Sequence, residues 1–174
     1  MMNRSQVEQL LHTREQMDDF MKNSVEFWLE HGIDREYGGY LVCFDENGKQ
    51  MEKLAVLEPT DKMIVTQTRM IWGLSALIRT GIAKEFGWQE KCLEGAKQGV
   101  DFFIDKFWDQ TYGGWAWVTD RKGNVLDNGK LVYGQTFAIY ALAEYYMATH
   151  DERGMDYAEK TFRLLMDHAA DQER

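Results

Sequence analysis

The sequence predicts an all-α protein. Helix pairs, each joined through a short β-hairpin, repeat side by side as part of an α/α toroid. Three observations carry this reading. Apolar residues recur at helical spacing over five segments of the chain. Two of those segments are apolar nearly all round, and such a helix is buried on every side. A D-x-x-Y-G-G turn followed by a strand-like run occurs twice, at a period of about 70 residues that fits two helices plus a hairpin.

The elements follow in order. From about Ser5 to Glu30, Leu10, Leu11, Met17, Phe20, Met21, Val25, Phe27 and Trp28 recur at helical spacing. Asp34–Gly39 reads DREYGG, and Tyr40–Phe44 has strand propensity. Asp45–Gly48 then gives a turn signal, so a short hairpin is expected. Met63–Gly81 is the first nearly all-apolar helix, with Gly81 as its C-cap. Gln89–Phe107 is an ordinary amphipathic helix. The pattern then returns as DQTYGG (Asp109–Gly114), strand-like Trp115–Val118 and a turn at Asp120–Asn124. A second all-apolar helix at Leu131–Thr149 and an amphipathic one at Met155–Ala170 complete it.

Laid together, Lys62 followed by Gln67-Thr68 matches Lys130 followed by Gln135-Thr136. Arg69 stands where Phe137 stands, and Trp72 where Tyr140 stands. The expectation is one unit over residues 1–174, with internal repeats at about 5–81 and 82–149 and a third from about 155. The third copy, Leu164–Asp171, stops where Tyr-Gly-Gly is due. A closed ring of six pairs needs roughly 400 residues at this period, so the chain is expected to be a fragment.

Composition narrows the function. The 174 residues are 44% apolar and 13% aromatic with one proline, which is globular and not disordered. A net charge of −9 without a Lys/Arg run argues against nucleic acid. No stretch approaches the ~18 apolar residues of a membrane span. The opening residues lack a signal-peptide core, and Cys43 and Cys92 have neither metal spacing nor a disulfide framework. A cytoplasmic location is expected, with no metal and no cofactor. Six tryptophans and eight tyrosines fit either a thick aromatic core or a cavity for a neutral ligand.

Arg69 is the sharpest candidate, a guanidinium inside an otherwise apolar helix. Such a group either reaches a wet cavity or forms a buried ion pair. Gln67 and Gln135 either hydrogen-bond a ligand hydroxyl or brace a neighbouring loop, and their repetition favours the loop, since a residue repeated in each unit more often serves the unit. Trp115, Trp117, Tyr133 and Tyr140 either face a sugar ring or pack hairpin on helix. His12, His31, His150 and His168 show no ligand spacing and read as surface or capping residues.

KMIVTQTRMIWGLSAL (Lys62–Leu77), YGGWAWVTDRKGNV (Tyr112–Val125) and YGQTFAIYALAEYY (Tyr133–Tyr146) resemble the N-acylglucosamine 2-epimerase family, which includes the cellobiose 2-epimerases. The resemblance runs from Phe27 to the end. It implies an (α/α)6 barrel, here incomplete, with the site in its central cavity. The implied reaction is reversible C2 epimerisation of an N-acylated or glucose-type reducing sugar through an enediolate, with histidines as acid and base. Arg69 matches the arginine that stabilises the oxyanion. Gln67, Trp72, Trp117, Tyr133, Gln135 and Tyr140 are the expected sugar contacts. The family's catalytic histidines fall in later repeats, so the chain alone is expected to be inactive. Alternatives are an aldose–ketose isomerase of the same fold, or a non-catalytic carbohydrate-binding half-barrel that self-associates through its open edge.

Overall fold

The computed structural model describes residues 4–54 and 56–171. Helix α1 (Arg4–Phe27) runs into a single wide turn at Trp28–Gly32, whose residues close π-type hydrogen bonds. Helices α2 (Ile64–Arg79), α4 (Gln89–Phe107), α5 (Val132–Thr149) and α6 (Glu152–His168) follow, with a one-turn helix α3 (Ile82–Glu85) after α2. The two apolar helices, α2 and α5, lie side by side; α4 packs against α2, and α6 against α5. The result is an arc with α2 and α5 as its inner wall and α4 and α6 behind them. Ile71, Leu74, Val100, Phe103, Trp115 and Leu142 fill the space between the layers.

Each boundary has a local cause. Gly81 adopts φ +80, which ends α2 at no steric cost. Asp151 caps α6 by accepting from Arg153 N–H. Helix α1 departs from the amphipathic expectation: Met17 and Phe20 are exposed, and burial begins only near Val25 and Leu29. Among the described residues the last turns of α1 lie against the core, through Val25. The first hairpin is also looser than expected. Tyr40–Phe44 forms no continuous strand, only single bridges from Ile33 to Tyr40 and from Phe44 to Gln50.

The second hairpin does form strands, and it spends them on its neighbour. Strand β1 (Lys62–Met63), at the entry to α2, pairs antiparallel with β2 (Val118–Thr119), which pairs with β3 (Val125–Asp127). The register sets Lys62 opposite Thr119 and Met63 opposite Val118. No helix among the described residues is long and apolar enough to cross a membrane.

Candidate active site

The two D-x-x-Y-G-G turns have the same construction. Asp34 Oδ1 accepts from the N–H groups of Glu36 and Tyr37, as Asp109 Oδ1 does from Thr111 and Tyr112. Gly39 takes φ +68, and a Cβ there would sit 2.7 Å from Gln67 Oε1, so only glycine fits. The glutamines finish the turns. Gln67 accepts from Tyr40 N–H (2.8 Å) and donates to Tyr40 C=O (2.9 Å). Gln135 does the same with Trp115, both bonds at 2.9 Å. Each glutamine is 1% exposed. Their placement therefore differs from the expected sugar contact: they brace the loop and are sealed from the inner surface.

Buried charge lies behind the first turn. Lys62 Nζ meets Asp34 Oδ2 at 3.0 Å, and Arg121 grips both Asp34 oxygens at 3.0 Å. Burial disfavours the Asp34 carboxylate, but Arg121 and Lys62 outweigh it and hold its pKa below the ordinary range. Burial acts on Lys62 in the opposite sense and lowers its pKa despite Asp34. Asp109 is also held low, first by Asn128 and then by the backbone N–H groups of Tyr112 and Thr111.

The inner surface carries a different set. Arg69, Trp72 and Gly73 of α2 and Thr136, Phe137 and Tyr140 of α5 line an open groove of 710 Å³. Residues at equivalent places in the two inner helices face one another across it. The Arg69 guanidinium carbon lies 5.3 Å from the centre of the Phe137 ring. One turn further on, Trp72 stacks on Tyr140, with centroids 5.2 Å apart and planes 17° from parallel. Arg69 is exposed and has no hydrogen bond or ion pair among the described residues. The ring face holds the cation without consuming its N–H donors, so the buried ion pair weighed from sequence is not what Arg69 forms.

Tyr133 is exposed and meets the groove residue Phe137 edge-on, centroids 4.9 Å apart, but is not itself part of the groove lining. Trp117 is half-buried. Its backbone joins the hairpin to Ile64 and Asp127, and its ring lies against Gly134, outside the groove lining. Trp115 is fully buried, stacked on Phe103 at 4.2 Å and donating to Thr161 Oγ1. Thr136 and Phe137 are groove residues not singled out as sugar contacts from sequence. Their spacing from Tyr133 and Tyr140 along one helical face is the signal that finds them. None of His12, His31, His150 and His168 lines the groove, and all four are exposed. Among the described residues no three His, Cys, Asp or Glu side chains cluster as a metal site.

This architecture has relatives. Residues 39–174 match the family model described as N-acylglucosamine 2-epimerase (GlcNAc 2-epimerase). The cellobiose 2-epimerase of Bacteroides fragilis is 28% identical over 164 residues, covering 89% of this chain and 39% of that protein. The cellobiose 2-epimerase of Dictyoglomus turgidum is 31% identical over 146 residues, covering 81% and 33%. The solved cellobiose 2-epimerase of Bacillus thermoamylovorans superposes with a TM-score of 0.73 at 28% identity, over 91% of this chain and 39% of its own. The chain thus spans little more than a third of the length of these relatives, as part of an (α/α)6 barrel. With its family model matched over residues 39–174, the chain belongs to the N-acylglucosamine 2-epimerase family.

Proposed function

We propose that this chain forms the arginine-bearing wall of a carbohydrate 2-epimerase cavity. The substrate is an N-acylated or glucose-type reducing sugar in its open-chain form. A base removes the C2 proton, and the electron pair moves through C1 onto the carbonyl oxygen. Arg69 stabilises that oxyanion, and an acid returns a proton to C2 from the other face. Tyr140, Trp72 and Tyr133 offer ring faces to the sugar's C–H surfaces and polar tips to its hydroxyls. Trp117 acts from beneath, by fixing the start of α5. The protein works in the cytoplasm and needs neither metal nor organic cofactor for these steps.

The observation that carries this reading is the unpaired guanidinium of Arg69 beside a stacked aromatic pair on an open inner groove. A chimera tests it: this chain fused to the part of the Bacteroides fragilis cellobiose 2-epimerase that it does not match. Deuterium from D2O should enter C2 of cellobiose, and Arg69→Ala should slow this about 10²–10³-fold. An Arg69→Ala chimera as fast as its parent would refute the assignment. The product separates epimerase from isomerase, since an isomerase yields a ketose.

A non-catalytic, self-associating half-barrel is the second reading. Exposed Phe162 and Met166 on α6 favour it. A mass that rises with concentration in sedimentation would support it, and a clean monomer would count against it.

A further inference from the structure

The chain holds five asparagines, and glycine follows two of them: Asn47-Gly48 at the tip of the first hairpin and Asn128-Gly129 shortly before α5. In such a step the side-chain amide carbon is open to attack by the next residue's backbone nitrogen. Glycine shields that nitrogen least, because it has no Cβ. Asn124 precedes β-branched Val125, and Asn23 lies inside α1, where helical hydrogen bonds hold the backbone. Asn47 and Asn128 are both exposed, so exposure does not separate them.

Hydrogen bonding does. The Asn128 amide is held at both ends: its Nδ2 donates to Asp109 Oδ2 at 2.9 Å, and its Oδ1 accepts from Lys130 Nζ. Closing a ring onto Gly129 N would break both bonds. Gly129 N–H is held too, donating to Asp127 Oδ1 at 2.8 Å. That nitrogen must lose its proton to attack, and a carboxylate against it disfavours the anion. The first hairpin lacks these restraints. Among the described residues the Asn47 side chain has no hydrogen-bond partner; only its backbone N–H is engaged, with Asp45 Oδ1. Gly48 N–H donates to a neutral acceptor, Asp45 C=O, at 3.0 Å.

We propose that Asn47 is a site of spontaneous deamidation, selected by the structure, and that Asn128 is protected from it. Gly48 N loses its proton to water and bonds to the Asn47 amide carbon. The bond from that carbon to the side-chain nitrogen breaks, and ammonia leaves with a proton taken from water. A five-membered succinimide remains, and a second water opens it at either carbonyl. One opening gives aspartate. The other gives isoaspartate, in which the main chain runs through the former side chain. Nothing is oxidised or reduced.

The products alter the hairpin. Its turn is closed by Gly48 N–H on Asp45 C=O and by Asp45 N–H on Lys49 C=O at 2.8 Å. Gly48 lies on Phe27, where an added Cβ would sit 2.9 Å from Phe27 Cε2, and Phe27 meets Phe44 edge-on. Isoaspartate puts an extra methylene into the main chain of this turn. Either product adds a carboxylate beside Asp45 and Glu46, where like charges repel. None of residues 44–50 lines the groove that carries Arg69, so the inference stands apart from the sugar chemistry.

The test is peptide mapping by mass spectrometry on the purified chain held in mildly alkaline buffer, beside the same chain in urea. In urea both Asn-Gly peptides should convert to aspartate and isoaspartate at similar rates, because sequence alone acts there. In the folded chain the Asn47 peptide should convert, and the Asn128 peptide should lag at least about tenfold, since freeing Asn128 breaks hydrogen bonds to charged groups. Asn47→Gln should remove the first acidic species that ion exchange resolves. Equal rates at the two sites in the folded chain would overturn the proposal. So would an Asn47 that stays intact while the urea sample converts, or an acidic species that persists in Asn47→Gln.

Discussion

The indole of Trp72 lies flat against the phenol ring of Tyr140, 5.2 Å between centroids and 17° between planes. These residues hold equivalent positions in two neighbouring inner helices, so the groove wall is made where one repeat meets the next. Stacked aromatic pairs contribute about 0.5–1.5 kcal/mol beyond area burial. A double-mutant cycle of Trp72→Ala and Tyr140→Ala in urea should therefore give a coupling of about 1 kcal/mol. Tyr140→Phe should leave stability nearly unchanged, because no partner for its hydroxyl stands among the described hydrogen bonds. A coupling near zero would mean that the rings do not stack in solution.

The same wall separates residues that hold the fold from one that does not. Gln67→Leu leaves the N–H and C=O of Tyr40 buried without partners, and Gln135→Leu does the same to Trp115. Each should cost about 2–4 kcal/mol in chemical denaturation. Arg69→Ala removes only an exposed cation–ring contact and should cost below about 1 kcal/mol. Equal losses at all three positions would show Arg69 to be structural.

What was legible in the sequence was local or repeated. The turn aspartates, the paired glycines and the K-x-x-x-x-Q-T spacing recur, so the two helix pairs align on residue pattern alone. Arg121 could not be placed that way. It reaches Asp34 from 87 residues away, and its counterpart in the first hairpin is Glu46, so no repetition marks it. Gln67 and Gln135 show the limit from the other side. Repetition identified them and favoured a bond within each unit over a sugar contact, and the geometry supplies the partners, the backbone of Tyr40 and of Trp115. Helix α3 and the wide turn at Trp28–Gly32 are set by how short links pack, which hydrophobic period does not encode.

Acid should loosen the junction between α5 and α6. Arg153, against a smaller opposing effect of burial, lowers the Asp151 carboxyl to about 2, helped by the capping bond from Arg153 N–H. An unfolded aspartate titrates near ~3.9. The folded pKa is the lower one, so the unfolded chain binds the proton first. The contribution is whole above pH ~4 and is lost as pH falls toward ~2. It is on the order of 1–2 kcal/mol, given that Asp151 is largely shielded from solvent. Asp151→Asn keeps the cap acceptor and should flatten the urea midpoint's pH slope across that window. An unchanged slope would place the acid sensitivity elsewhere, among the other depressed carboxylates, Asp34, Asp101, Asp109 and Asp120.

Proton exchange at C2 requires a base within hydrogen-bond reach of that carbon's proton. The groove offers Arg69, Trp72, Gly73, Thr136, Phe137 and Tyr140, with no carboxylate, imidazole or thiol to take that proton. His31 lies against Phe27 and His150 against Tyr146, on other surfaces, while His12 and His168 are exposed on α1 and α6. In the proposed role of oxyanion group, Arg69 without a base has no charge to stabilise. The purified 174-residue chain should therefore bring no deuterium into C2 of cellobiose or N-acetylglucosamine from D2O, read by NMR over days. Exchange above the uncatalysed background, abolished by Arg69→Ala, would mean that a base acts from outside the groove lining, and His31 and His150 would be the first to replace.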